Sequence, residues 1–205
     1  MKVSIIKYNA GNIQSVLFAL ERIGINAMVT DDIELIKKSD KVIFPGVGEA
    51  RSAMNYLKER KLDQVIVSLT QPVLGICLGM QLMCQQSQEG NTRCLGIFDN
   101  QVKKFSSSFE ACTSNMGDVK VPQIGWNTIY DLKTDLYKDI KEAEYMYFVH
   151  SYYAELGEDT IAKTTHGLEY SSSLQKDNFY GVQFHPEKSS DAGQCILENF
   201  IRITK

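Results

Sequence analysis

The sequence predicts an α/β domain built on a doubly wound, mixed sheet, with an antiparallel extension in its second half. Three observations support this prediction. Strands and helices alternate over the first half, one of these strands is continuously apolar, and the second half consists mostly of strands and turns. Such alternation is typical of a parallel sheet with helices on both faces, and continuous apolar strands are typical of its buried positions.

The first half of the chain alternates regularly. In order, the predicted elements are the strand KVSIIKY, the helix NIQSVLFALERIG, a strand near NAMVT, the helix DDIELIKKS, the strand KVIFP, the helices EARSAMNYLKER and LDQVIVSLT, and the strand PVLGIC. Apolar residues recur at helical spacing in the first helix. Asp31 or Asp32 is expected to cap the second helix, because a side-chain oxygen there can accept from free backbone N–H groups.

The second half has a different pattern. Its predicted strands are NQVKKF, VPQIGWNTIY, EYMYFVHSYYAEL, TIAKTTH, LEYSSSLQ and NFYGVQFH, and its predicted helix is AGQCILENFIRIT. The segment from Ser106 to Asp118 has no periodic pattern and is expected to be an exposed loop. Since there is no internal repeat and no long linker, residues 1–205 are expected to form a single domain.

The composition excludes several classes of function. A net charge of −3 at pH 7 gives no basic surface of the kind that binds nucleic acid. No apolar run reaches the roughly 18 residues that a membrane span needs, and the N-terminal MKVSIIKYNAGN is typical of a first strand rather than of a signal peptide. The five cysteines contain no C-x-x-C pair, which argues against a disulfide framework or a zinc site. We therefore expect a cytoplasmic protein.

The most informative stretch is GICLGMQ, in which Cys77 lies between an apolar strand and a helix, with a glycine two residues to either side. This pattern has the form of a nucleophile elbow, with cysteine in place of serine. The sharp turn would expose the sulfur, and the start of the helix would favour the thiolate. A buried structural thiol is the alternative, because free cysteine is among the most buried residue types.

A thiol nucleophile needs a base, which is usually histidine, and the chain has three. His185 ends the strand GVQFH, and Glu187 follows closely enough to hold the imidazole in one tautomer. The alternative is a surface histidine beside a solvated carboxylate. His150 is flanked by aromatic residues, which favours a packing role, and His166 is typical of a turn residue.

Acyl transfer also needs hydrogen-bond donors for a developing oxyanion, and the glycine-rich segment PGVG, residues 45–48, is a candidate. It follows the buried strand KVIFP. Because the carboxyl ends of parallel strands line one crevice, this segment and Cys77 are expected at the same edge of the sheet. A plain turn is the alternative. The spacings of glycine-rich phosphate loops are absent.

Taken together, GICLGMQ, GVQFHPE and PGVG resemble the class I glutamine amidotransferases. The resemblance implies a flavodoxin-like fold, a Cys-His-Glu triad made of Cys77, His185 and Glu187, and no metal or other cofactor. It implies that L-glutamine is hydrolysed to glutamate and ammonia through a glutamyl thioester on the cysteine.

The same resemblance implies the rest of the site. The oxyanion is expected to meet backbone N–H groups around Val47, Gly48 and Leu78, after a reorientation of the peptide between residues 46 and 48. The substrate glutamine is expected to be held by Gly48, Gln81, Glu89, Ser151 and Tyr152. The alternatives are a solvated loop acid for Glu89 and an exposed helix residue for Gln81.

Further runs, among them YNAGN, VPQIGWN, YFVHSYY and FHPEKS, occur in the order seen in one subfamily of that class. Its members are glutaminase subunits of histidine biosynthesis. They form a heterodimer with a (β/α)8-barrel cyclase subunit, which uses the channelled ammonia to make imidazole glycerol phosphate and AICAR. Only about residues 105–119 match nothing in it. The residues expected at this partner interface are Asn12, Gln123, Trp126, Tyr147 and Lys188.

Other interpretations of these residues remain open. Asn12 could be a helix cap, Lys188 a solvated charge, and Trp126 and Tyr147 core aromatics, and Gln123 stands where many members have histidine. The chain could also be a glutaminase for a different synthase, a thiol peptidase or stress protein on a related sheet, or a binding module with a buried thiol. The peptidases and stress proteins lack the HPE at the strand end and Gln81.

Overall fold

The structure, a computed structural model, describes residues 1–9, 11–106 and 119–204. The strands are β1 Val3–Ile6, β2 Ala27–Thr30, β3 Lys41–Gly46, β4 Val73–Cys77, β5 Gln86–Ser87, β6 Thr92–Arg93, β7 Gln101–Lys104, β8 Gln123–Ile129, β9 Glu144–His150, β10 Tyr152–Ala154, β11 Thr160–His166, β12 Leu168–Lys176 and β13 Phe179–Val182. The α-helices are α1 Ile13–Arg22, α2 Ile33–Lys37, α3 Ala50–Glu59, α4 Leu62–Val67, α5 Leu78–Met83 and α6 Ser190–Arg202. The expected loop from Ser106 to Asp118 lies, except for Ser106, outside the described residues.

A mixed sheet of eleven strands organises the described part of the chain. Its parallel half has the strand order β2-β1-β3-β4-β13. With β13 as the fifth strand, this is the 2-1-3-4-5 order of flavodoxin-like sheets. β12 pairs antiparallel with β13, and β10 and β7 continue the sheet in antiparallel pairings. The doubly wound mixed sheet with an antiparallel extension is therefore confirmed.

Helices cover both faces of the parallel half, because successive side chains of a buried strand point to opposite faces. In β3, Phe44 packs into a cluster with residues of α3, α4 and α5. Its neighbour Ile43 packs into a second cluster with residues of α1 and α6. The predicted cap of α2 is formed by Asp32, whose carboxylate accepts from the N–H groups of Glu34 and Leu35.

The segment EYMYFVHSYYAEL, predicted as one strand, is divided at Ser151 into β9 and β10. The two parts pair with different partners: β9 forms a separate two-stranded sheet with β8, whereas β10 joins the main sheet beside β7 and β12. His150 and Tyr152 are joined by a hydrogen bond of 2.7 Å between Nδ1 and the backbone oxygen. This change of sheet brings the end of β9 over the carboxyl end of β4, where Cys77 Sγ lies 3.9 Å from the Val149 oxygen.

No helix in the described ranges has the length and apolar character needed to cross a membrane.

Candidate active site

Cys77 lies on a strained turn between β4 and α5, with φ 53° and ψ −109°. A positive φ is costly for a residue with a Cβ and persists where surrounding packing enforces it. Here α5 packs directly on the sheet: a Cβ at Gly79 would overlap the carbonyl oxygen of Phe44 in β3, and one at Gly75 would lie 2.8 Å from the Met80 nitrogen. The two glycines therefore permit the close approach that holds Cys77 at the strand end, as in a nucleophile elbow.

His185 and Glu187 form a buried pair just beyond β13. The Nδ1 atom of His185 lies 2.7 Å from Oε1 of Glu187, and both side chains are inaccessible to solvent. A short 3-10 turn over Pro186–Lys188 brings the carboxylate back onto the ring. The backbone N–H of His185 donates to the Tyr147 oxygen at 2.9 Å, which ties this turn to β9. Because Glu187 occupies Nδ1, the other ring nitrogen, Nε2, is left buried without a hydrogen-bond partner in the described residues.

The charges around His185 favour its protonated form. Burial acts most strongly and lowers the pKa, but the negative charge of a Cys77 thiolate, together with the contact to Glu187, outweighs it and raises the pKa of His185 to about 10. The protonated form of His185 is thus favoured at neutral pH. This arrangement places a ring that can carry a proton next to the sulfur of Cys77.

Asn12 contacts the far side of this pair. Its Nδ2 donates to Glu187 Oε1 at 2.6 Å and lies 3.3 Å from His185 Nδ1. The residue has a left-handed backbone, with φ 74°, and its side chain makes no capping bond to α1. The amide of Asn12 therefore holds the carboxylate of Glu187 and does not cap helix α1.

A cavity of about 270 Å³ opens over Cys77. The residues expected at the oxyanion hole and around the substrate all line it, together with three that were not expected. The expected residues are Val47, Gly48, Leu78, Gln81, Glu89, Ser151 and Tyr152, and the additional ones are Pro122, Val149 and His150. The structure thus brings the loop after β3 and the elbow after β4 to one place, as expected for the carboxyl ends of neighbouring parallel strands, and the β9–β10 break joins them from the separate sheet.

Glu89 and Gln81 occupy defined positions in this cavity. The carboxylate of Glu89 accepts from the backbone N–H of Ala50, at the first residue of α3, over 2.7 Å. Burial raises the pKa of Glu89, and this hydrogen bond partly opposes the rise. Gln81 is buried rather than exposed, and its Nε2 donates to the Tyr152 oxygen at 2.8 Å.

The residues expected at a partner interface divide into two groups. Trp126 is 52% exposed and packs edge to face against Tyr147, with 6.0 Å between ring centroids, and Lys188 is exposed beside the turn that carries Glu187. Gln123, in contrast, is buried and accepts from the Tyr170 hydroxyl at 2.9 Å. Side chains alternate along β8, so Gln123 points inward, whereas Ile124 is 63% exposed. The structure therefore does not bring the Gln123 side chain to the surface.

Two further residues beside Cys77 and the loop after β3 were not expected from the sequence. Gln183 donates through Nε2 to Cys77 Sγ at 3.6 Å. Tyr8 is buried and donates to the Pro45 oxygen at 2.6 Å, and burial, followed by the charge of Cys77, raises its pKa well above the usual value. Neither contact has a local signal in the sequence, because each depends on which strands are neighbours in the sheet.

Comparison with known proteins identifies the family. The model of the family described as glutamine amidotransferase class-I matches residues 5–203. The imidazole glycerol phosphate synthase subunit HisH of Bacteroides fragilis is 55% identical over 99% of this chain and 100% of its own length. The same subunit of Bacteroides thetaiotaomicron is 50% identical with the same coverage, and that of Haemophilus influenzae is 41% identical over 98% and 97% of the two chains.

Solved structures show the same fold at low sequence identity. A crystal structure of a glutamine amidotransferase superposes with a TM-score of 0.72 and 16% identity, covering 98% of this chain and 99% of the other. The structure of PurLQS from Thermotoga maritima superposes with a TM-score of 0.67 and 14% identity, covering 98% and 97%. The chain therefore belongs to the glutamine amidotransferase class-I family and, within it, to the HisH subunits of imidazole glycerol phosphate synthase.

Proposed function

We propose that Cys77, His185 and Glu187 are the catalytic triad with which this glutamine amidotransferase hydrolyses L-glutamine to glutamate and ammonia. One observation carries the proposal. The buried imidazole of His185 is held at Nδ1 by Glu187, its Nε2 is unpaired among the described residues, and Cys77 is close enough to raise the pKa of the ring. A nucleophile, a base and an orienting carboxylate in this relation are the parts that acyl transfer requires.

In the first half-reaction, the Cys77 thiolate attacks the side-chain carbonyl carbon of glutamine, and the carbonyl electrons move to oxygen. When the tetrahedral intermediate collapses, the carbon–nitrogen bond breaks and the proton of His185 passes to the departing nitrogen. Ammonia leaves, and a glutamyl thioester remains on the sulfur. The high pKa of His185 suits this step, because the proton is present on the ring before the attack.

In the second half-reaction, His185 is neutral and accepts a proton from an attacking water. The second tetrahedral intermediate collapses by breaking the carbon–sulfur bond, which releases glutamate and restores the thiolate. Glu187 holds the ring in one tautomer throughout, since its contact to Nδ1 leaves Nε2 facing the chemistry.

We assign the oxyanion hole to backbone N–H groups around Val47, Gly48 and Leu78. Leu78 is the first residue of α5, where backbone N–H groups have no partner within the helix. Gly48 has φ 123°, and no atom lies within 4 Å of where a Cβ would be. A glycine in such open space can turn its peptide to present an N–H group.

The proposed substrate contacts match the chemistry of glutamine. The carboxylate of Glu89 suits the α-ammonium group. Both N–H protons of Gln81 are committed, to the Tyr152 oxygen and to Gln183, so its Oε1 is the atom left for substrate. Ser151 and Tyr152 also line the cavity.

We further propose that the partner is a (β/α)8-barrel cyclase subunit, which receives the ammonia in histidine biosynthesis. The relatives are named as subunits of a synthase, which supports a partner of this kind. An aromatic and apolar surface lies near the active-site turn. It is formed by the exposed side chains of Ile124, Trp126 and Tyr145, of which Tyr145 is 57% exposed. Such surfaces are typical of protein interfaces. Asn12, Tyr147 and Lys188 complete the proposed interface.

We also propose a cytoplasmic location, because the four described cysteines are free.

Co-purification with the cyclase, followed by glutamine turnover with and without its nucleotide ligand, tests this function. We expect a one-to-one complex whose glutaminase rate exceeds that of the isolated chain. Trp126→Ala should weaken the complex, whereas Val67→Ala, which changes a 48% exposed residue on α4, should leave it unchanged. Peptide hydrolysis without glutamine turnover would contradict the proposal.

A further inference from the structure

We infer that Gln183 is a further catalytic residue of this site, whose side-chain amide donates a hydrogen bond to the sulfur of Cys77. The inference rests on the proposed role of Cys77 as the nucleophile and adds a group that contacts the reacting atom. Gln183 follows β13, which is the parallel neighbour of β4 in the sheet. The strand pairing therefore brings its side chain beside the elbow.

The geometry consists of a chain of amide contacts in a dry environment. Gln183 is fully buried, and its Nε2 lies 3.6 Å from Cys77 Sγ, within hydrogen-bonding distance for sulfur. Its Oε1 accepts from Gln81 Nε2 at 2.9 Å. Gln81 Nε2 also donates to the backbone oxygen of Tyr152 at 2.8 Å. The contacts thus run from a backbone carbonyl, through two glutamine amides, to the sulfur.

This chain of contacts determines which end of the Gln183 amide faces the sulfur. The oxygen and nitrogen of a glutamine amide are assigned from their hydrogen-bond partners. The backbone oxygen of Tyr152 can only accept, so the nitrogen of Gln81 must face it and must also face Gln183. Gln183 therefore has to present its oxygen to Gln81, and its nitrogen is left for Cys77. A reversed Gln183 would set two N–H groups against each other.

The consequence is a donor held in place for a negative sulfur. A hydrogen bond to the charged form of a group favours that form, and the effect is larger where water is excluded. The backbone oxygen of Val149, 3.9 Å from Sγ, can only accept and so favours the thiol. Gln183 opposes it. Its N–H stabilises the thiolate before attack and again when sulfur departs from the thioester carbon.

The test measures the alkylation of Cys77 by iodoacetamide as a function of pH, followed by mass spectrometry of the peptide that contains Cys77. Gln183→Met keeps the length of the side chain and removes both amide contacts. We expect the midpoint of alkylation to move to higher pH by about one unit, and the rate at neutral pH to fall roughly tenfold. Glutamine turnover should lose kcat by a similar factor.

Gln71→Met is the matched control, because Gln71 is another buried glutamine whose amide donates to a backbone carbonyl, that of Ile36, away from the site. It should alkylate with the wild-type pH profile. Gln183→Leu provides a second replacement without a donor. If Gln183 only supported Gln81, KM and thermal stability would change while the alkylation midpoint stayed in place, and that result would overturn the inference.

If both replacements fail to fold, the wild-type protein decides the question. With ¹⁵N-labelled glutamine, the side-chain amide resonance of Gln183 should shift when Cys77 is deprotonated, and the resonance of Gln71 should not. An unchanged Gln183 resonance would overturn the inference. Alkylation and resonance shifts do not require glutamine turnover. A shifted profile in a protein that does not hydrolyse glutamine would therefore count against the proposed function, while the hydrogen bond from Gln183 to the sulfur of Cys77 would stand.

Discussion

Glu187→Gln removes the negative charge of the triad and leaves the arrangement of its side chains unchanged. Oε1 of Glu187 lies 2.7 Å from His185 Nδ1 and accepts from Asn12 Nδ2 at 2.6 Å. Because Asn12 is a donor at this point, a glutamine at position 187 keeps its oxygen there and turns its nitrogen away. The ring of His185 would retain its tautomer and one neutral hydrogen bond, and would lose only the negative charge.

The magnitude follows from that loss. Two unit charges about 4 Å apart attract by about 4 kcal/mol at an effective dielectric constant of roughly 20. A neutral hydrogen bond of about 1 kcal/mol remains, and part of the attraction is offset by solvation. We expect transition-state stabilisation to fall by about 2 kcal/mol, which is roughly thirtyfold in kcat/KM. Removal of a negative neighbour also lowers the pKa of His185, so the decline of activity at high pH should begin at a lower pH.

Steady-state release of glutamate, measured from neutral pH to about pH 10, tests both parts of this prediction. Glu198→Gln is the control, because Glu198 is paired with Arg202 on α6, remote from the triad, and should have wild-type kinetics. A kcat/KM for Glu187→Gln within about threefold of the wild type, or an alkaline limb that does not move, would refute the assignment of Glu187 as the charged orienter.

Three further substitutions have defined outcomes. Burial lowers the pKa of His150 to about 3, so between pH 7 and pH 5 the unfolded chain takes up a proton that the folded protein does not; this group alone should lower stability by about 2 kcal/mol, which the raised pKa of His185 partly offsets, and urea unfolding should show a smaller decrease in His150→Gln than in the wild type. Gly79→Ala should lower the free energy of unfolding by about 3 kcal/mol, since the new Cβ overlaps the Phe44 carbonyl; thermal denaturation measures this. Asn12→Ala removes the donor to Glu187 and should lower kcat about tenfold with KM unchanged, measured by steady-state glutamine hydrolysis. Equal pH slopes for His150→Gln and the wild type would contradict the effect of His150 burial. A wild-type melting temperature for Gly79→Ala would contradict the close packing of Gly79 on Phe44. An unchanged kcat for Asn12→Ala would contradict the role of the hydrogen bond to Glu187.

Much of the fold was predictable because its signals are local. Helical spacing, a capping aspartate and apolar strands predicted the alternating first half, and the structure has it. The break at Ser151 was not predictable, since β9 and β10 form a continuous apolar pattern and separate only because they pair with different sheets. The two-residue strands β5 and β6 are too short to show any periodicity.

The candidate site shows the same division. Cys77, His185 and Glu187 stand in short motifs whose spacing indicates a nucleophile, a base and an orienting carboxylate, and the structure has the expected contact between His185 and Glu187. Their catalytic roles stay a prediction. The sequence did not predict a role for Gln183. Its contact with Cys77 requires β13 to lie next to β4, and the residues of neither strand indicate this strand order. Gln123 shows the converse: its position in β8 was predicted, but which face of that strand is buried depends on packing against Tyr170.

The most direct test of the catalytic account is to trap the covalent intermediate. The protein is mixed with L-glutamine, quenched in acid within one turnover, and digested for mass spectrometry. We predict a glutamyl thioester on the peptide that contains Cys77 in the wild type. A His185 variant should accumulate this thioester only if acylation is faster than deacylation. Cys77→Ala should form no thioester and should have no glutaminase activity. Glutamine hydrolysis that persists in Cys77→Ala, or a glutamyl group found on a different cysteine, would contradict the central claim that Cys77 is the nucleophile.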